Sequence, residues 1–243
     1  MEITEILKDD YEYYSGIGRQ YLSNSDIGVL LTNPKNYGKK RADSKELELG
    51  KYFHHAILEP HKASETLFCD TSTRTTKEYK SFCESKNRDY VLLKKEIDEI
   101  DQLVNTIKGN MTFFDLIYNE CNEYEKPAVG ELFGVSWKGK ADIVGCDVVL
   151  DIKTTSDIQA FKYSAYKYNY DSQAYIYTTL FDCSSMVFLV ADKITGQLGI
   201  FEASANFINS GRIKVEKAVS VYNKYFGPNS DENVINHFIS DIL

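Results

Sequence analysis

The sequence predicts an α/β (α+β) fold: a mixed central sheet flanked by helices, preceded by a mainly helical N-terminal part. Three observations predict it. Helix-spaced apolar positions and helix punctuation dominate residues 1–125. Short runs rich in β-formers, separated by turn residues, begin after residue 126. Helical patterning then returns between and after the later runs, so that strands and helices alternate.

The elements follow in order. Ser23-Asn24-Ser25 ahead of Asp26–Leu31 reads as a helix start, and Asn33-Pro34 ends that helix because a residue before proline is pushed out of helical geometry. Ser44 is placed to cap a helix reaching about Leu58, closed by Glu59-Pro60. Residues 76–88 and 92–108 are charged, with apolar positions at helical spacing, and Thr112–Asn119 forms a further short helix. Leu132–Trp137, Lys140–Val144 and Val148–Lys153 are expected strands. Tyr170–Leu180 is helical, Ser185–Ala191 and Gln197–Ala203 are strands joined by a turn at Lys193–Gly196, and 205–226 is the last helix. There is no internal repeat or low-complexity linker. Residues 1–243 are therefore expected to form one domain, with 1–125 its helical part and 126–243 its sheet-containing core.

Composition narrows the class. Hydrophobic residues make up 43% and charged residues 26% of the chain, enough of the former to bury an ordinary core. No apolar run reaches the roughly 18 residues a membrane span needs, and Met1–Asp10 is acidic and polar, unlike a signal peptide. The expected location is the cytoplasm. The five cysteines, at 69, 83, 121, 146 and 183, include no CxxC pair, which disfavours a disulfide framework, a structural zinc site or an iron–sulfur cluster. They are read as reduced, mostly packing residues. The net charge of −8 weighs against a general nucleic-acid binder. A site is local, however, and carboxylate-bound cations supply positive charge where a phosphate sits.

The informative stretch is Gly139-Lys140-Ala141-Asp142-Ile143-Val144-Gly145-Cys146-Asp147-Val148-Val149-Leu150-Asp151-Ile152-Lys153. With Cys146-Asp147 as a two-residue turn, Gly145 pairs with Val148, Val144 with Val149, Ile143 with Leu150 and Asp142 with Asp151. A three-residue turn would shift this register. In the two-residue register Asp142, Asp151 and Lys153 share one sheet face, while Ile143, Leu150 and Ile152 point into the core. Opposed carboxylates repel and call for a cation. Mg²⁺ takes oxygen ligands of this kind, with Mn²⁺ as its substitute and the Ile152 carbonyl as a further ligand. Lys153 can orient an attacking water or stabilise developing charge. The competing reading is a set of solvated charges on an exposed face.

Four segments together resemble the PD-(D/E)xK nuclease superfamily, in particular the phage-type group that includes exonuclease VIII, lambda exonuclease and RecB-like nuclease domains. They are Ser23–Pro34, Leu49-Gly50-Lys51-Tyr52-Phe53-His54 continuing to Pro60, the hairpin with Leu150-Asp151-Ile152-Lys153-Thr154-Thr155, and Gln173-Ala174-Tyr175-Ile176-Tyr177. The resemblance implies a restriction-endonuclease-like core. It implies Asp142 and Asp151 as metal ligands, Lys153 as the catalytic lysine, and His54 rather than His55 as an additional ligand. Glu131 is a further acidic candidate ahead of the hairpin. Gln173 and Tyr177, four apart on one helix face, would border the active site. Gly139-Lys140-Ala141-Asp142 is a mild variant of the group's G-R-x-D pattern.

The function so implied is a Mg²⁺-dependent exonuclease that resects linear duplex DNA ends for phage-type recombination. Its implied partners are a single-strand annealing protein and copies of itself in a trimer or tetramer, inside a bacterial host cell if phage-encoded. Rival readings are a non-catalytic DNA- or protein-binding module on a nuclease fold, and a Cas4-like nuclease without its iron–sulfur cluster. The first would lack Asp142, Asp151 or Lys153, all of which are present, and the absence of a cysteine cluster from this chain argues against the second. Lys39-Lys40-Arg41, Lys162 and Lys167 are candidates for phosphate contact, with solvated surface the preferred reading.

Overall fold

A computed structural model describes residues 2–39, 44–230 and 232–239. The chain runs α1 (Ile3–Ile6), α2 (Asp10–Tyr14), α3 (Asn24–Thr32), α4 (Lys45–Leu58), α5 (Pro60–Ser64), β1 (Phe68–Cys69), α6 (Lys77–Ser85), β2 (Leu92–Leu93), α7 (Lys94–Gly109) and α8 (Met111–Ile117). It continues through β3 (Glu123–Leu132), β4 (Val135–Val144), β5 (Val148–Thr155), α9 (Phe161–Lys167), α10 (Tyr170–Leu180), β6 (Ser185–Asp192), β7 (Leu198–Glu202) and α11 (Ala205–Tyr225). The α/β class with a mixed sheet and a helical first part is as expected.

Local chemistry sets the helix ends. The Asp26 carboxylate accepts the Ser23 N–H at 2.8 Å, and Ser44 Oγ accepts the Leu47 N–H at 3.2 Å, so both serines cap as expected. At the other end of α4, Lys108 Nζ and the Tyr118 hydroxyl donate to the Ala56 and Ile57 carbonyls, satisfying acceptors that have no partner within the helix.

The main sheet has the order β3-β4-β5-β6-β7, antiparallel except for the parallel β5–β6 pair. The α9–α10 crossover makes that parallel pairing possible. One sheet face, with Trp137, Val149, Phe188 and Val190, packs against α3, α10 and α11 through residues such as Leu30, Ile176 and Val215. The other face, with Ile143, Leu150, Ile152 and Leu189, packs against α4, α7 and α8 through Phe53, Ile57, Ile100 and Ile117.

Three sequence expectations are corrected. The strand expected at Leu132–Trp137 is instead the meeting of β3 and β4. Phe133 and Gly134, at φ of 53° and 75°, form a tight turn in its middle. The whole of β3 was missed because Pro127 and its charged neighbours argue against a strand. The strand lies at the sheet edge, where a missing N–H costs nothing. Helices α1 and α2 were also missed. They dock by distant contacts, with Asp10 bonded to Lys140 at 2.7 Å and Lys138 donating to the Tyr13 carbonyl. All five cysteines are free, as expected, but only Cys69 and Cys83 are buried in packing, while Cys121 and Cys146 are exposed.

Candidate metal centre

The β4–β5 hairpin is paired only near its turn. Ile143 lies opposite Leu150, Val144 lies opposite Val149, and the Gly145 N–H donates to the Val148 carbonyl at 2.9 Å. This is the two-residue-turn register. The expected Asp142–Asp151 rung does not form, because the strands part there and Asp142 Oδ2 takes the Ile152 N–H at 2.7 Å. The N–H and C=O of a residue in a strand leave by the same edge, so the Ile152 carbonyl faces the same gap.

Strand β3 breaks at the matching place. Tyr124 pairs with Ile143 and Lys126 with Ala141, while Glu125 between them has a φ of 47° and drops out of the ladder. That conformation is unfavourable for a residue with a Cβ. Across the same break, Ala141 belongs to one core and Ile143 to the other, so β4 turns over at Asp142.

The double break gathers candidate ligands. His54, on the flank of the buried stripe of α4, puts Nδ1 3.3 Å from Asp142 Oδ2. One ligand atom each from His54, Glu125 and Asp142 lies within 4.8 Å of the others. A second group adjoins them. Asp151 Oδ2 lies 2.5 Å from Lys153 Nζ, and Asp151 Oδ1 accepts the Gln173 side-chain N–H at 2.6 Å. Asp151 is 1% exposed and Asp142 9%, so water does little for either charge.

The titration of these groups follows from that crowding. Burial and the Asp142 charge push the Glu125 carboxyl up to about 8. Burial also disfavours the Asp142 carboxylate, but His54, Lys153 and the Ile152 N–H outweigh it and hold Asp142 below the ordinary range. Asp151 is raised, by burial first and by Asp142, against the pull of Lys153. Burial opposes charge on Lys153 and His54, yet the facing carboxylates raise both. An imidazole nitrogen and two carboxylates held this close suit a divalent cation, and a cation would relieve the repulsion that, together with burial, keeps Glu125 protonated.

The sequence matches the PDDEXK-like domain of unknown function (DUF3799) over residues 31–229. The chain belongs to this PD-(D/E)xK family. A crystal structure of a "Putative exonuclease" from Eubacterium rectale is similar in fold, with a TM-score of 0.66 at 16% identity, covering 100% of this chain and 96% of that one. A phage related exonuclease from Haemophilus somnus 129PT matches with a TM-score of 0.34 at 14% identity, covering 71% of this chain and 92% of that one. No curated protein matches the sequence.

Within this PD-(D/E)xK fold, the sequence-predicted residues His54, Asp142, Asp151, Ile152, Lys153 and Gln173 come together. Gln173 touches Asp151 directly. Tyr177 is buried, packs over Gly139 and donates to the Lys140 carbonyl at 3.0 Å, which braces β4 next to the site. Glu131 is not brought in. It is exposed and opposite Ser136, six residues along β3 from Glu125, about 20 Å at strand rise. The acid that the fold delivers is Glu125. Counting outward from the Phe133-Gly134 turn would have found it, because Leu132↔Val135 in register puts 125 across from 142. His55 points away and lines a cavity of about 270 Å³ with Lys51, Lys62 and Arg88. Lys39 bonds Asn36 at 2.9 Å, while Lys40 and Arg41 lie outside the described residues.

Proposed function

We propose that this chain is a metal-dependent deoxyribonuclease that resects linear duplex DNA. The observation that carries the reading is the ligand group of His54, Glu125 and Asp142 set against the Asp151–Lys153 pair. The family match and the fold likeness to a protein described as an exonuclease support it.

His54, Glu125 and Asp142 would hold the cation, with Asp151 and the Ile152 carbonyl completing its surroundings. When bound, Mg²⁺ or Mn²⁺ supplies Lewis acidity toward the scissile phosphate and acidifies a coordinated water. Lys153 is held as an ammonium by its carboxylate neighbours, so its part is to stabilise charge developing on the phosphate and to orient the attacking water. Gln173 fixes the Asp151 carboxylate so that Lys153 and the ligands keep their places.

The four-segment resemblance extends the reading to a trimer or tetramer, a single-strand annealing partner and a cytoplasmic setting. No helix among the described residues is long and apolar enough to cross a membrane. The test is digestion of 5′- and 3′-labelled linear duplex, with circular plasmid alongside, in Mg²⁺, Mn²⁺ or EDTA. Metal-dependent loss of the linear form, abolished in Asp151→Ala and Lys153→Ala, is expected. Absence of cleavage on every DNA at every metal concentration would overturn the proposal.

A further inference from the structure

Helix α9 buries Phe161 and Ala165 and turns Lys162, Tyr163, Tyr166 and Lys167 outward on its opposite face. Tyr163 is 82% exposed, Tyr166 47%, and Tyr168, just past the helix, 57%. Tyr166 packs edge-on against Phe207 at 4.9 Å, whereas Tyr163 and Tyr168 leave open ring surface of the kind that marks a binding site. The sequence alone favours solvated surface over phosphate contact for Lys162 and Lys167, but neither forms an ion pair among the described residues. Lys167 Nζ instead lies 5.6 Å above the Tyr168 ring.

This face is continuous with the catalytic group. The Tyr168 ring is 6.1 Å from that of Tyr170, and Lys153 Nζ lies 5.0 Å over Tyr170. Tyr170 in turn stacks on buried Phe188 at 5.6 Å. The C-terminal end of α9 is pinned by Lys214, which donates to the Tyr166 carbonyl at 2.8 Å. The rings are thus presented by an anchored element that leads to the reactive lysine.

We propose that Tyr163, Tyr166 and Tyr168, with Lys162 and Lys167, form a stacking platform that binds single-stranded DNA and holds the unpaired strand beside the metal centre. This inference rests on the nuclease reading for its choice of nucleic acid. Exposed rings offer stacking to any base, whereas a duplex presents phosphates and hides its base faces. Lys162 and Lys167, exposed and without an ion pair among the described residues, give the phosphates a local attraction beside the rings.

The test is fluorescence anisotropy of a labelled oligothymidylate of about 20 nucleotides, longer than one such platform covers, in EDTA so that nothing is cleaved. The full chain is expected to bind it more tightly than a blunt duplex of equal length. Tyr163→Ala with Tyr168→Ala should weaken single-strand binding about tenfold, and Tyr163→Phe with Tyr168→Phe should restore it, because stacking needs the ring and not the hydroxyl. Lys162→Ala with Lys167→Ala should lower the slope of log Kd against log salt by about 1.4. Circular dichroism melts confirm that each variant is folded. Single-strand affinity indifferent to removal of both rings would overturn the platform. Because binding is read without metal, such a failure is distinct from failure of the nuclease reading, which shows as absence of cleavage in Mg²⁺ or Mn²⁺.

Discussion

Glu125 lies across from Asp142 at the rung where β3 leaves the ladder, and that break brings both carboxylates within 4.8 Å of a His54 ring nitrogen as a candidate ligand group. Removing a supporting partner of a metal ligand typically costs 10–100-fold in affinity or activity, and removing a ligand costs at least as much. Glu125→Gln should therefore lower metal-dependent cleavage of linear duplex by at least about a hundredfold. Glu131→Gln, changed at an exposed position, should leave it as it is. Initial rates on end-labelled duplex check both, and equal effects at the two positions would contradict this assignment.

Gln173 is proposed to act through Asp151, to which it donates at 2.6 Å. Gln173→Ala leaves the buried Asp151 Oδ1 without that donor. The expected outcome is a fall in kcat of roughly 10–100-fold with little change in KM. Steady-state kinetics over a range of DNA concentrations separates the two constants. A rise in KM alone would place Gln173 on the substrate instead.

How much of this was legible in the sequence depends on distance along the chain. Asp142, Asp151 and Lys153 could be read because a two-residue turn fixes their hairpin locally. The α3 and α4 starts could be read because Ser23 and Ser44 cap them within three residues. Glu125 could not be read from its own neighbourhood, since a positive φ at a glutamate has no sequence signature and Pro127 disguised its strand; only the count back from the Phe133-Gly134 turn reaches it. The docking of α2 could not either, because Lys138 and Tyr13 meet across 125 positions. The face of α9 was visible as lysines and tyrosines, but its continuity with Lys153 exists only once β5 and α10 are packed.

Acid should loosen the helical part through Glu96. This carboxylate is 2% exposed, accepts the Leu93 N–H at 2.9 Å and pairs with Arg74 and Lys45. Burial works against its charge, but these partners outweigh it and hold its pKa below the ordinary 4.5. A carboxyl lowered on folding contributes stability that is fully present above its unfolded pKa and lost as pH falls through the folded one. Glu96→Gln should cost about 2 kcal/mol at neutral pH and flatten the acid side of the stability curve below pH 4.5. Thermal melts at several pH values test this. A variant whose melting temperature falls with acid as steeply as the parent's would contradict it.

Helices α10 and α11 cross at Gly211, where an added Cβ would sit 1.9 Å from the Asp171 carbonyl oxygen. Backbone cannot yield as a flexible side chain can, so Gly211→Ala must separate the helices. The expected cost is about 3 kcal/mol, or a drop in Tm of roughly 6–12 °C for a chain of this size. An unchanged Tm would show that the two helices sit farther apart than described.

The central claim is that His54, Glu125 and Asp142 hold a divalent cation that drives phosphodiester cleavage. Its most direct test is a Mn²⁺ titration followed by electron paramagnetic resonance, with cleavage of linear duplex measured on the same samples. The account predicts that Mn²⁺ binding and cleavage rise together, and that both are lost in Asp142→Asn. Cleavage that persists in EDTA, or Mn²⁺ binding undiminished in Asp142→Asn, would contradict it.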